Sequence, residues 1–251
     1  MKKGHRSFVT IITGISNGNL LILGILTGKK KQTVKDFLAE IPLRIRKTVE
    51  TVCVDLYEGF INAAKEIFPK KTQITADRFH VAKLYRYAFE TLRKKEMKRL
   101  KLSLPKKEYS SFKGVMWVLR KDENTLSLEE NDQLAQLFKQ STPLKKAYQL
   151  RNELTDLFNI HKNQFQGKHR INYWIRKVKR SSVRCFDTFI KTLLKFKDEI
   201  THYFTNRNNS GFVEGLNNKI KVIKRRCYGI LNKFHLFQRI YLDISGYARF
   251  L

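Results

Sequence analysis

Apolar residues enter this chain as two short runs, FVTIIT at 8–13 and LLILGIL at 20–26, rich in β-branched side chains and separated by Asn17-Gly18. An Asn-Gly pair tolerates the positive φ angles of a tight reversal, so the runs are expected to pair as a β-hairpin. Thr33 is placed to cap a short helix through VKDFLAEI, which must stop before Pro42. TVCVDL at 51–56 reads as a strand whose apolar run stops at Asp55, followed by an amphipathic helix through INAAKEIF that Pro69 ends. QITADRF at 73–79 repeats the pattern, with Asp77 at the end of a short strand. Strands interleaved with helices predict an α/β fold with a mixed sheet.

From about residue 80 to 205 the apolar period becomes helical, with Leu84, Tyr87, Ala88 and Leu92 on one face. Ser127 and Glu130 form a capping box and start a helix there. The five acids between 122 and 132 make one acidic island, read as a solvated helix start that complements its own dipole. Near the C-terminus Val213, Leu216, Ile220, Ile223 and Cys227 recur at three- and four-residue steps and predict the buried stripe of a helix. Glu214, Asn217, Asn218, Lys221 and Arg225 share another face of it.

Charge changes the picture most. Lys and Arg total 51 against 22 Asp and Glu in 251 residues, a formal charge of +29, which implies a polyanionic partner. The charge is spread over several segments, which favours nucleic acid over a membrane surface. Residues 161–197, with eleven basic residues and Asp187 as their one acid, are typical. The three cysteines, Cys53, Cys185 and Cys227, have no metal-ligand or redox spacing and suit a reducing cytoplasm. The basic start and apolar runs of the first 30 residues resemble a secretory leader only superficially, because Ser16-Asn17-Gly18-Asn19 cuts the apolar core in two.

Candidate chemistry centres on the segment SGFVEGLNNKIKVIKRR at 210–226, where one carboxylate, Glu214, precedes Lys221, Lys224, Arg225 and Arg226. Two readings are open from spacing alone. Glu214 is either a first-turn acid stabilised by the helix dipole, or a ligand for a divalent cation that turns its repulsion of phosphate into attraction. The basic residues beyond it would then lie on neighbouring phosphates. The six histidines, His80 among them, show no zinc spacing and read as hydrogen-bonded or surface residues. Tyr173-Trp174 beside Arg176 and Lys177 could stack on an unpaired base, but an amphipathic helix with Trp174 in the core is the favoured reading.

The string SGFVEGLNNKIKVIKRRCYG resembles the glutamate helix of bacterial insertion-sequence transposases with a DDE catalytic core, specifically the ISL-three family. VCVDLYEGFINAAKEIFP resembles that family's second-aspartate strand and the helix after it, and ITADRFHVAKL its next strand and helix entry. KKGHRSFVTII and NTLSLEENDQL are also similar, so the resemblance spans essentially the whole chain. It implies a ribonuclease H-like core from residues 1–80, a large helical insertion at 81–205, and a C-terminal glutamate helix at 206–251 that completes the core. It implies that Asp55 and Glu214 are catalytic carboxylates and metal ligands for Mg²⁺ or Mn²⁺, and that Lys221 contacts DNA near the cleaved end. Strand-end packing or hydrogen bonding, rather than metal ligation, is the expected role of Asp77.

The family places its first catalytic aspartate on a central strand just upstream of Lys-Gly-His, and here Met1 directly precedes Lys2-Lys3-Gly4-His5. The expectation is therefore a truncated or misannotated reading frame, lacking that strand and aspartate, with two sheet edges left unpaired and no strand transfer by this chain alone. The alternative is a non-catalytic basic DNA-binding fragment that inhibits an intact transposase. The expected partner is DNA, at insertion-sequence ends and at target, in the bacterial cytoplasm with the nucleoid and not at a membrane. A homo-oligomer is compatible with that role.

Overall fold

Asn17 at φ 50° and Gly18 at φ 77° form the two-residue reversal that Asn-Gly foretells, joining β1 (Val9–Ser16) to β2 (Asn19–Thr27) as an antiparallel hairpin. The computed structural model describes residues 9–160, 163–206, 211–227 and 232–246, without the side chains of 206, 211–214, 217, 233 and 245. Two compact units make up the chain, residues 1–79 with 208–251, and residues 80–207.

In the first unit the hairpin register skips a residue of β2, since Ile12 pairs with Gly24 and Thr13 with Ile22. Neighbouring residues on a strand point to opposite faces, and the extra residue shifts that alternation by one. Ile22 and Ile25, three apart, thus both reach one apolar cluster, formed with Ile223, Leu236 and Ile240. Those three residues belong to α12 (Gly211–Arg226) and α13 (Lys233–Ser245), which therefore pack on the hairpin. Gly24 faces the other way, toward α1 (Lys31–Glu40), where a Cβ would come within 2.4 Å of the Phe37 ring. The predicted cap at Thr33 is corrected. Val34 N already donates to Lys30 O at 3.3 Å, which puts Thr33 inside the first turn, and no side chain caps α1.

After the short α2 (Leu43–Arg46), β3 (Thr51–Val54) and β4 (Gln73–Ala76) pair in parallel, from Thr51 with Gln73 to Val54 with Ala76. Parallel neighbours need a crossover, and α3 (Glu58–Ile67) supplies it, burying Ile61, Ala63 and Ala64. α1 lies against α3, where Lys31 and Lys35 pair with Glu66. The fold is mixed α/β and mostly helical, and its sheet is not continuous. Among the described residues it is two pieces, β1–β2 and β3–β4. Joining them takes a strand bonded to both, and no described residue provides one.

The second unit is helical, from α4 (Arg78–Ser103) through α5 (Lys106–Ser110), α6 (Val115–Val118), α7 (Leu128–Gln140), α8 (Thr142–Asn159), α9 (Gln164–Arg180), α10 (Asp187–Lys195) and α11 (Lys197–Asn206). Ser127 and Glu130 form the expected capping box at α7. Trp174 is a core residue, 2% exposed, its indole donating to Leu150 O at 2.8 Å and meeting Phe186 and Phe189 edge-on. Arg151 is buried with its guanidinium 4.9 Å from the Phe89 ring centroid and 4.7 Å from that of Tyr148, donating to Leu119 O. Burial holds its pKa below the usual arginine value.

Ser141 serves two elements at once. Its hydroxyl oxygen accepts from Leu144 N at the start of α8, and its O–H donates to Glu96 Oε2 of α4 at 2.7 Å. Burial opposes ionisation of Glu96, yet the Ser141 hydroxyl and the Arg99 guanidinium outweigh it and hold the carboxyl below the usual glutamate value. A carboxylate with a depressed folded pKa stabilises above its unfolded value and loses that contribution as pH falls through the folded one.

Three outcomes follow for stability. Gly24→Ala, which drives a methyl into Phe37, is expected to cost about 1–3 kcal/mol, read as a lower urea midpoint with helix content retained in circular dichroism. Ser141→Ala is expected to cost a similar amount, about 1–3 kcal/mol, by removing a cap and stranding a buried carboxylate. The stability advantage of the wild type over Glu96→Gln should be full near about pH 7 and shrink toward about pH 3; a difference that grows on acidification would contradict the assignment.

Candidate metal centre

Because β3 and β4 run parallel with Val54 opposite Ala76, the residues that follow, Asp55 and Asp77, emerge side by side at the carboxyl ends of the pair. Ligands in open α/β sheets collect at those ends. Asp77 N donates to Val54 O at 2.8 Å and extends the ladder by one bond. Its side chain is 1% exposed, with Oδ1 accepting from Phe79 N at 3.1 Å. Asp55 is exposed, and Tyr57 N donates to its carbonyl at 2.6 Å in the tight turn that starts α3. His80 stands half-buried in the first turn of α4, three residues after Asp77.

One ligand atom each from Asp55, Asp77 and His80 lies within 4.8 Å of the other two. Donors on opposite sides of an ion bound at about 2.1 Å sit about 4.2 Å apart, so these atoms stand near the spacing of a single cation site. Two carboxylates suit Mg²⁺ or Mn²⁺ in charge and in donor type, and an imidazole nitrogen suits Mn²⁺. The local potential is negative in a strongly basic protein. Burial first, then the charges of Asp77 and Asp55, push the Cys53 thiol up to about 12.

Glu214 falls in the first turn of α12, but its side chain, with that of Val213, is outside the described residues. The rest of the expected stripe is in place: Leu216 and Ile223 are buried, and Ile220 and Cys227 pack against the cluster on the hairpin. Lys221, Arg225 and Arg226 are exposed and Lys224 is half-buried, so α12 presents cations along the side away from its core. Lys221 donates to Asn218 Oδ1 at 3.1 Å, one turn back on the predicted face.

Asp77 is buried and hydrogen-bonded, as its expected role requires, and it also faces Asp55 and His80, which that role did not include. The histidine was missed because a search for zinc spacing pairs His with Cys or His. The available signal was Asp-x-x-His at a strand end entering a helix, where the i and i+3 positions share a face.

Residues 1–240 match the model of a DDE transposase family, the ISL-three type, described as transposase. The chain is 26% identical over 250 residues to the transposase for insertion sequence element IS1001 of Bordetella parapertussis, an alignment covering 99% of this chain and 60% of that protein. It is 20% identical over 264 residues to the transposase for insertion sequence element IS1557 of Mycobacterium tuberculosis, covering 98% of this chain and 58% of that protein. The chain thus spans about 60% of the length of the curated relatives it matches. No solved structure matches it. With a family model matching from residue 1 to residue 240 and similar insertion-sequence transposases along its whole length, the chain belongs to the ISL-three family of DDE transposases.

Proposed function

We propose that this chain carries the DNA-processing core of an insertion-sequence transposase, a ribonuclease H-like core with a helical insertion, in which Asp55 and Glu214 are catalytic carboxylates and metal ligands. The reaction is hydrolysis of a phosphodiester at the element end, followed by attack of the freed 3′-hydroxyl on target DNA. The observation that carries the reading is the place of Asp55, exposed at the carboxyl end of a parallel strand and within 4.8 Å of two further ligand-bearing side chains.

A bound Mg²⁺ or Mn²⁺ would lower the pKa of an attacking hydroxyl and offset charge on the phosphate. The protein's own part is to position and to bind. Asp77, fixed by burial and by its bond from Phe79 N, holds the strand end in the shape that presents Asp55. Lys221, Lys224, Arg225 and Arg226 contact DNA phosphates, and the apolar stripe of α12 holds that basic side outward. Among the described residues no helix is long and apolar enough to cross a membrane. The resemblance gives the family a first catalytic aspartate on a further strand, so strand cleavage requires that residue in addition to Asp55 and Glu214.

In a protein that joins an in-frame upstream strand to residues 1–251, Mg²⁺-dependent nicking of end-containing DNA is expected to fall by about 10²-fold or more on Asp55→Ala and on Glu214→Ala. Nicking that survives both substitutions would overturn the reading; tight binding with no nicking in the joined protein would support the basic DNA-binding fragment instead. Independently, replacing Lys221, Lys224, Arg225 and Arg226 together by alanine should weaken duplex binding and flatten its log–log salt dependence by about 3 in slope. An unchanged slope in fluorescence anisotropy titrations would remove α12 from the interface.

A further inference from the structure

We propose that Asp55, Asp77 and His80 hold a divalent cation by themselves, with His80 giving a nitrogen ligand, so that this site binds Mn²⁺ in preference to Mg²⁺ and does so without Glu214. The inference deepens the reading of Asp55 as a metal carboxylate and rests on it. Its basis is local. All three donors come from one short stretch of architecture, the ends of β3 and β4 and the first turn of α4, with ligand atoms mutually within 4.8 Å.

Preorganisation is greatest at Asp77, whose carboxylate is 1% exposed and already oriented by Phe79 N at 3.1 Å. A buried carboxylate held in this way loses little freedom when an ion arrives, and Asp55 brings a second carboxylate from the neighbouring strand end.

The imidazole decides the selectivity. Mg²⁺ is small, demands near-ideal octahedral oxygen coordination and gives up water reluctantly. Mn²⁺ accepts the same carboxylates and lies on the first-row series whose members take imidazole nitrogen readily. An oxygen-only pair of carboxylates would discriminate weakly between the two ions. One nitrogen in the set adds affinity for Mn²⁺ that Mg²⁺ does not share.

The test uses the whole chain and Mn²⁺ alone, followed by electron paramagnetic resonance, with Mg²⁺ as competitor. Expected are one bound Mn²⁺, an electron-spin-echo modulation from directly coordinated nitrogen, and displacement only at about tenfold or greater excess of Mg²⁺. His80→Ala should remove the nitrogen modulation and weaken Mn²⁺ by about 10- to 100-fold while leaving weak Mg²⁺ binding near its starting value. Glu214→Ala should keep the modulation, since the nitrogen comes from His80. Bound Mn²⁺ without nitrogen modulation in the wild type overturns the proposal, and that measurement needs no variant to fold. So does loss of Mn²⁺ in Glu214→Ala, or absence of Mn²⁺ binding altogether. Nitrogen-coordinated Mn²⁺ in a joined protein that never nicks DNA would defeat the transposase reading and leave this site standing; Mn²⁺-dependent nicking without nitrogen coordination would do the reverse.

Discussion

The parallel register of β3 with β4 is the constraint on which the rest depends. Val54 opposite Ala76 brings Asp55 and Asp77, distant in sequence, to adjacent positions, and the bond from Asp77 N to Val54 O locks the last step of that register. A slip of one residue would turn each side chain to the other face of the pair and separate the carboxylates. The slip is opposed by burial: Ile74, Thr75 and Ala76 are all buried, as is Asp77 after them, so an alternative register would have to expose apolar groups or bury the wrong polar ones. Packing thus stabilises an arrangement that electrostatics alone would oppose, since two carboxylates a few ångströms apart repel.

That repulsion is tolerable because of what surrounds it. A protein of formal charge +29 carries a broad positive potential, and a small acidic focus within it costs less than it would in a neutral chain. The same contrast suits a phosphate-handling site. On the proposed function, cations on α12 would draw in the DNA backbone, and the acidic focus at the strand ends would need a divalent ion before it could accept a phosphate. Long-range attraction and local discrimination would then come from different residues.

Features set by near neighbours were legible in the sequence. The Asn17-Gly18 reversal, the Ser127–Glu130 box, the strands stopping at aspartates and the apolar stripe of α12 each depend on residues a few positions apart, and each is present where described. Features set by distant partners were not legible. The register skip in the hairpin shows itself only because Ile22 and Ile25 must both meet the α12–α13 cluster. Ser141 gives no hint that it bonds Glu96, 45 positions away, as well as capping α8. His80 reads as an ordinary helix residue until the register places Asp55 beside it. Thr33 misled because its residue type suits a cap, while the bond from Val34 N to Lys30 O starts the helix before it.

The hairpin also governs where Glu214 can be. α12 is seated on β2 through Ile22 and Ile25, whereas Asp55 belongs to β3. The described contacts linking them run from β2 to α1, from α1 to α3, and from α3 to β3 and β4. Gly24 meets Phe37 at the first joint, and Lys35 pairs with Glu66 at the second, 2.9 Å apart. Exposed pairs add little, so the glutamate helix and the aspartate strand are coupled mainly through side-chain packing across two helices. A strand hydrogen-bonded to both β1–β2 and β3–β4 would replace that long series with one rigid sheet.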